Sequence, residues 1–294
     1  MNRCIYFALS FLILAASPTL AQHVAPTHKD IAYDNDHPAQ KLDVYLAKSD
    51  VPLPVMIHIH GGGWRAGSKS NVPAWLKDGL NAGQFSVVSV EYRFTDVAPH
   101  PAQTDDCMRA IQFVRSNAKA WNIDTSRFGV TGGSAGGHLS LWVALHDDIA
   151  DSAATDSVER ESSRVTCAVG FAGPTDWRLL SQIKHAHPAY RQLLGYEPGT
   201  PADEMKSDGI KDVSPISFVS QDDPPIMIVH GDADNIVPVE HAKQMDSELK
   251  KSGVKSTLVV VKGAGHEVAS AGGPSFVPQV KAFVSDAFDV SQTQ

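Results

Sequence analysis

Gly132-Gly133-Ser134-Ala135-Gly136 reads G-x-S-x-G, a spacing that suits a nucleophilic serine. A short apolar strand, Arg127 to Thr131, precedes it, and an apolar helix running to Leu145 follows. Glycines between a strand and a helix permit a turn sharp enough to project Ser134 from the strand tip. The turn also leaves a helix N-terminus beside the hydroxyl, where the dipole favours a developing anion. The bland reading of the same motif is a glycine-rich packing turn. A serine hydroxyl is a weak nucleophile and needs a base oriented by a third group. Two later strands end in suitable loops. Pro225 to His230 runs into Gly231-Asp232-Ala233-Asp234-Asn235-Ile236-Val237-Pro238, and Ser256 to Val261 runs into Gly263-Ala264-Gly265-His266. With Ser, acid and His each following a strand in that order, His266 is the candidate base and Asp234 the candidate acid. Asp232 is expected to shape its loop. Asp176, after an earlier strand, is the fallback acid.

A third element, His60-Gly61-Gly62-Gly63-Trp64, follows a buried strand. Successive glycines can aim main-chain N–H groups into one space, where they would stabilise an oxyanion. Gly62 and Gly63 are the candidate donors, joined by Ala135; alanine at Gly61 is expected to be milder than at those two if Gly61 only shapes the turn. A phosphate cradle is the rival, but the Walker Lys-Ser/Thr pair and the G-x-G-x-x-G spacing are both missing. His58 and His60 stand two apart on a strand, and His185 and His187 two apart further on. Neither pair has an obvious third ligand, so neither a metal nor a cofactor is expected. His138 is expected to close the space behind the helix that follows Ser134. Trp64, Trp177 and Tyr196 are candidates for a substrate pocket or for ordinary packing.

The surrounding elements must bring these residues to one edge. Lys41 to Ala47 alternates apolar and polar residues, as a half-exposed strand does. Pro54 to His60, Phe85 to Tyr92 and Val165 to Ala172 read as buried strands. Ala74 to Ala82 reads as a helix. Thr104 is expected to cap the next one, with Asp105 and Asp106 in its first turn. Its apolar face runs through Cys107, Ala110, Ile111, Val114, Ala118 and Trp121. Val239, Ala242, Met245 and Leu249 mark another helix that Gly253 can stop, and Pro274 to Phe288 the last. Pro174 to Asp223 is irregular and reads as an insertion over the strand ends. Alternating strands and helices mean an α/β fold, with a mostly parallel sheet covered on both faces.

Together, HGGGW at His60, GGSAGGH around Ser134, HGDADNIVP before Val239 and GAGH at His266 resemble the α/β-hydrolase carboxylesterases. The likeness runs from about Ile31 to the C-terminus. It is greatest to secreted bacterial acetyl-esterase and feruloyl-esterase-like enzymes related to the hormone-sensitive lipase group. That resemblance implies eight strands, a small insertion after the sixth, and ester hydrolysis without a cofactor. By motif position it implies Ser134 as nucleophile, Asp234 as acid, His266 as base, and Gly62, Gly63 and Ala135 as oxyanion donors. One departure stands out: the lipase group usually shows GDSAGG, and Gly133 here replaces the Asp.

The 294 residues suit one large domain, and 43% apolar with 20% charged residues excludes general disorder. A net charge of −8 argues against a nucleic-acid partner. Arg3, the apolar run Ile5 to Ala16, Pro18 and the small residues before Gln22 read as a secretory signal peptide cleaved after Ala21. The run is too short to span a membrane, so no stable anchor is expected after cleavage, and the location is secreted or periplasmic. Cys4 leaves with the leader. Cys107 and Cys167 read as two separate buried thiols rather than one disulfide. The expected partner is a small-molecule or carbohydrate ester; the sequence does not address the oligomeric state. Two rival readings are a secreted serine peptidase of the prolyl-oligopeptidase type and a non-catalytic hydrolase-fold binding protein. The first usually carries a large N-terminal domain for which there is no room, and the second normally lacks a triad member.

Overall fold

A computed structural model describes residues 24–181 and 187–289; the expected leader at 1–21 lies outside them. In chain order the strands and helices are β1 (His28–Ala32), β2 (Lys41–Tyr45), β3 (Leu53–Ile59), α1 (Ala74–Asn81), β4 (Ser86–Val90), α2 (Ala102–Ser116), β5 (Ile123–Gly133), α3 (Ala135–Leu145), β6 (Cys167–Phe171), α4 (Ala189–Leu193), α5 (Ser207–Val213), β7 (Ile226–Gly231), α6 (Glu240–Lys251), β8 (Ser256–Val261) and α7 (Val277–Ala287). The eight strands form one sheet in the order β1-β2-β4-β3-β5-β6-β7-β8. The β1–β2 and β2–β4 pairs are antiparallel, and every later pair is parallel.

The pleat sorts side chains between two cores. Val55, Ile57 and Ile59 of β3, and Ile226 and Ile228 of β7, face α2, α3 and α6. Met56 of β3, and Met227 and Val229 of β7, face α1 and α7. Strands buried on both faces therefore read as continuous apolar runs, as these do. Cys107 belongs to the first core and Cys167 to the second, so the sheet separates the two free thiols. Burial pushes the Cys167 thiol up to about 12.

Three local features differ from the sequence expectation. β1 is an exposed edge strand, HKDIA, with no apolar run to mark it; only its pairing with β2 makes it a strand. α2 begins at Ala102, so Thr104 lies inside its first turn, with its hydroxyl donating to the Pro101 carbonyl at 2.8 Å. Asp106 is not a solvated first-turn acid. It is buried and receives the Arg93 guanidinium, the Arg93 amide and the Gln40 side-chain amide. Between β6 and β7 the chain makes short helical turns whose Trp177, Tyr190, Leu193 and Val213 join the α3-side core.

Three histidines are part of these cores. His58, His138 and His241 are buried, and desolvation depresses each to about 3. In the unfolded chain an imidazole takes up its proton near pH 6.5. Their contribution is thus complete above that pH and is lost as pH falls, because only the unfolded state gains protons. Each should cost on the order of 2 kcal/mol between pH 7 and 5. The urea unfolding midpoint is therefore expected to drop sharply over that interval. A midpoint that holds steady to pH 5 would show that these imidazoles are not locked neutral.

Candidate active site

Ser134 sits at the junction of β5 and α3 with φ +55° and ψ −121°. A non-glycine residue there stores strain of about 1–3 kcal/mol, held by its surroundings. Those surroundings are backbone. A Cβ on Gly132 would lie 2.3 Å from the Ile59 carbonyl oxygen, and one on Gly136 2.1 Å from the same atom. At Gly133 it would lie 1.7 Å from the Ala269 carbonyl oxygen. Ala269 belongs to the turn His266–Ser270, so the histidine-bearing turn packs directly against the backbone at Gly133.

The loops after β5, β7 and β8 meet at one edge of the sheet and bring Ser134, Asp234 and His266 together. His266 Nδ1 donates to Asp234 Oδ2 at 2.8 Å, which leaves Nε2 to accept from the Ser134 hydroxyl at 3.0 Å. The Asp234 carboxylate is fully buried. Burial alone would raise its pKa. His230, 3.5 Å away, His266, and the amides of Val237 and Ile236, each at 2.9 Å, outweigh that penalty and hold it well below the usual carboxylate range. An acid so held stays ionised and fixes the imidazole tautomer. Asp232 is exposed and accepts the Gly263 amide at 2.6 Å, which shapes the β7 and β8 loops. Asp176 spends both oxygens on Arg178, at 2.8 Å each.

The segment His60–Trp64 leaves β3 beside the elbow. Gly62, Gly63 and Trp64 all have positive φ, and the Gly62 carbonyl accepts the Ala66 amide at 3.1 Å to close a tight turn. Among the described residues, the amides of Gly62, Gly63 and Ala135 donate to no protein acceptor. Gly61 does more than shape the turn, because a Cβ there would lie 2.6 Å from the Gly133 carbonyl oxygen. At Gly62 it would lie 1.9 Å from the Ala66 carbonyl oxygen, whereas at Gly63 it meets only the Ala189 Cβ at 3.4 Å. His60 donates from Nδ1 to the Gly61 carbonyl and meets Glu91 at 2.7 Å through Nε2; His58 bonds the Ser89 hydroxyl. These two histidines therefore have separate partners. His185 lies outside the described residues, and no cluster of three potential metal ligands occurs among those described.

A cavity of about 300 Å³ opens over Ser134 and His266, with Trp64, Tyr190 and Ile236 among its walls. Trp177 supports it from beneath, 5.7 Å from Trp64 and 5.2 Å from Tyr190 between ring centres. Tyr196 is packing, its hydroxyl accepting the Lys206 amide. Tyr190 and His241 went unread in the sequence. The His241 Nδ1 accepts the Thr175 and Asp176 amides, so its Nε2–H faces the Tyr190 hydroxyl at 3.4 Å. No periodicity or motif marks either residue; only the fold joins α4 to α6.

The sheet order and a serine, histidine and carboxylate at its edge define an α/β-hydrolase. Comparison with known proteins is more specific: residues 42–249 match the BD-FAE family model, and the chain belongs to that family. The probable carboxylic ester hydrolase LipM of Mycobacterium tuberculosis is 31% identical over 76% of this chain and 51% of its own length. Esterase LipC of the same organism is 30% identical over 83% of this chain and 61% of its own. The chain thus spans about half to three-fifths of these relatives. Among solved structures, a truncated carbohydrate esterase from gut microbiota superposes with a TM-score of 0.75 at 29% identity, covering 88% of this chain and 95% of that one. An acetyl ester-xyloside bifunctional hydrolase from Caldicellulosiruptor lactoaceticus gives 0.74 at 27% identity, covering 91% and 98%.

The glycine contacts set an order of tolerance. Gly61→Ala and Gly62→Ala should slow fluorophosphonate labelling of the folded protein by roughly 10²–10³, the usual cost of a lost oxyanion donor. Gly63→Ala, which meets only ordinary contact and pays about 1–2 kcal/mol for its φ, should be mildest. If Gly61→Ala labels faster than Gly63→Ala, the backbone contact between Gly61 and the elbow does not govern the site.

Proposed function

We propose that this protein is a secreted or periplasmic serine carboxylesterase acting on short-chain or carbohydrate-linked esters. The hydrogen-bonded chain Asp234–His266–Ser134 carries this reading, with the unpartnered amides of Gly62, Gly63 and Ala135 beside it. The Ser134 hydroxyl attacks the ester carbonyl while His266 takes its proton. Asp234 stabilises the resulting imidazolium. The tetrahedral oxyanion turns toward the three amides, whose direction is fixed before reaction begins. His266 returns the proton to the departing alcohol, and water releases the acyl group by the same steps. A small, largely apolar cavity suits a short acyl chain. The similarity to a carbohydrate esterase and an acetyl ester-xyloside hydrolase favours acetylated sugars as substrates. The leader-like residues 1–21 support export.

Turnover of p-nitrophenyl acetate and of acetylated xylo-oligosaccharides tests the reading. Ser134→Ala should fold and lose turnover with both. Asp234→Asn should cost on the order of 10⁴ in kcat, because the amide favours the wrong imidazole tautomer. Asp232→Asn should cost far less, since Asp232 only holds a loop amide. Reversed losses would mean that the wrong aspartate carries the acid role.

A further inference from the structure

His138 lies one helical turn after Ser134, and its amide donates to the Ser134 carbonyl at 3.0 Å. Its side chain is fully buried. Nδ1 is 3.1 Å from Trp64 Nε1, an indole N–H that can only donate. Nε2 is 2.8 Å from the Val213 carbonyl oxygen, which can only accept. Only the neutral tautomer with its proton on Nε2 satisfies both neighbours. Burial depresses this imidazole to about 3, so Nδ1 stays an acceptor across the working pH range. Trp64 crosses the imidazole edge-on, with ring centres 5.2 Å apart. One residue on the serine-bearing helix thus joins the residue after Gly63 to the end of α5.

We propose that His138 is a positioning residue that holds the oxyanion loop in register with Ser134, acting through the Trp64 indole. Gly61, Gly62 and Gly63 have no side chains with which to anchor themselves. Trp64 is the first side chain after the proposed donors, and its N–H is spent on His138. Without that acceptor, the loop loses the bond that ties its amides to the serine-bearing helix. This inference rests on the reading of Gly62, Gly63 and Ala135 as oxyanion donors, but it assigns His138 no contact with substrate.

A double-mutant cycle on the full chain tests it. His138→Leu and Trp64→Phe should each lower kcat for p-nitrophenyl acetate by roughly 10–100-fold, the range for residues that orient a reacting group, with KM changed little. Affinity for a trifluoromethyl ketone, whose adduct carries the oxyanion, should fall by the same factor. The double variant should be no worse than the poorer single one. His138→Gln, which keeps an acceptor and a donor, should recover most of kcat. Additive losses would overturn the proposal. So would a lowered melting temperature with kcat and ketone affinity unchanged, the signature of mere packing. If His138→Leu fails to fold, Trp64→Phe and His138→Gln carry the same comparison. Wild-type turnover tests the underlying esterase reading separately: an inactive wild type refutes that reading, whereas an active one with additive losses refutes only the role of His138.

Discussion

Backbone packs directly on backbone around Ser134, and every distance in the site depends on it. Carbonyl oxygens of Ile59 and Ala269 occupy the places where side chains of Gly132, Gly133 and Gly136 would stand. The same holds between the other two loops, where a Cβ on Gly231 would lie 2.3 Å from the Ala264 carbonyl oxygen. At these contacts the loops from β3, β5, β7 and β8 meet main chain to main chain. Glycine is costly to order, yet only glycine admits this approach. A catalytic constellation tolerates errors of about 0.5 Å, so a single methyl group at one of these contacts displaces more than the chemistry allows.

Burial is resolved in opposite ways for the acid and for the core histidines. Asp234 is buried and charged, because two imidazoles and two amides converge on it. His58, His138 and His241 are buried and neutral, and hydrogen bonds fix which nitrogen faces which partner in His138 and His241. For Asp234 the hydrogen-bond partners outweigh the cost of burial, whereas for the histidines desolvation decides and the imidazoles stay neutral. The result is a set of fixed hydrogen bonds around the Ser134–His266 pair.

The parallel strands and their loops were legible in the sequence, because buried strands leave unbroken apolar runs and glycine-rich loops follow them. The edge strand β1 was not, since HKDIA offers the core only Ile31 and owes its conformation to its partner. Thr104 looked like a helix cap, but the helix already starts two residues earlier, at Ala102, and Asp106 turns inward to Arg93. Ser134, Asp234 and His266 are visible as motifs and meet as the order of strands requires. What no motif conveys is three-dimensional adjacency: that Gly61 presses on Gly133, that Ala269 fills the place beside Gly133, or that His138 reaches Trp64 across 74 positions. Each depends on loops from separate strands arriving together.

Intact-mass and peptide mapping after reaction with a fluorophosphonate test the central claim most directly. The account predicts a single adduct per chain, carried on the peptide containing Ser134, and no adduct after unfolding before exposure. An adduct on another residue, or equal labelling of the unfolded chain, would contradict it, because the reactivity of Ser134 would then owe nothing to the packed backbone that presents it.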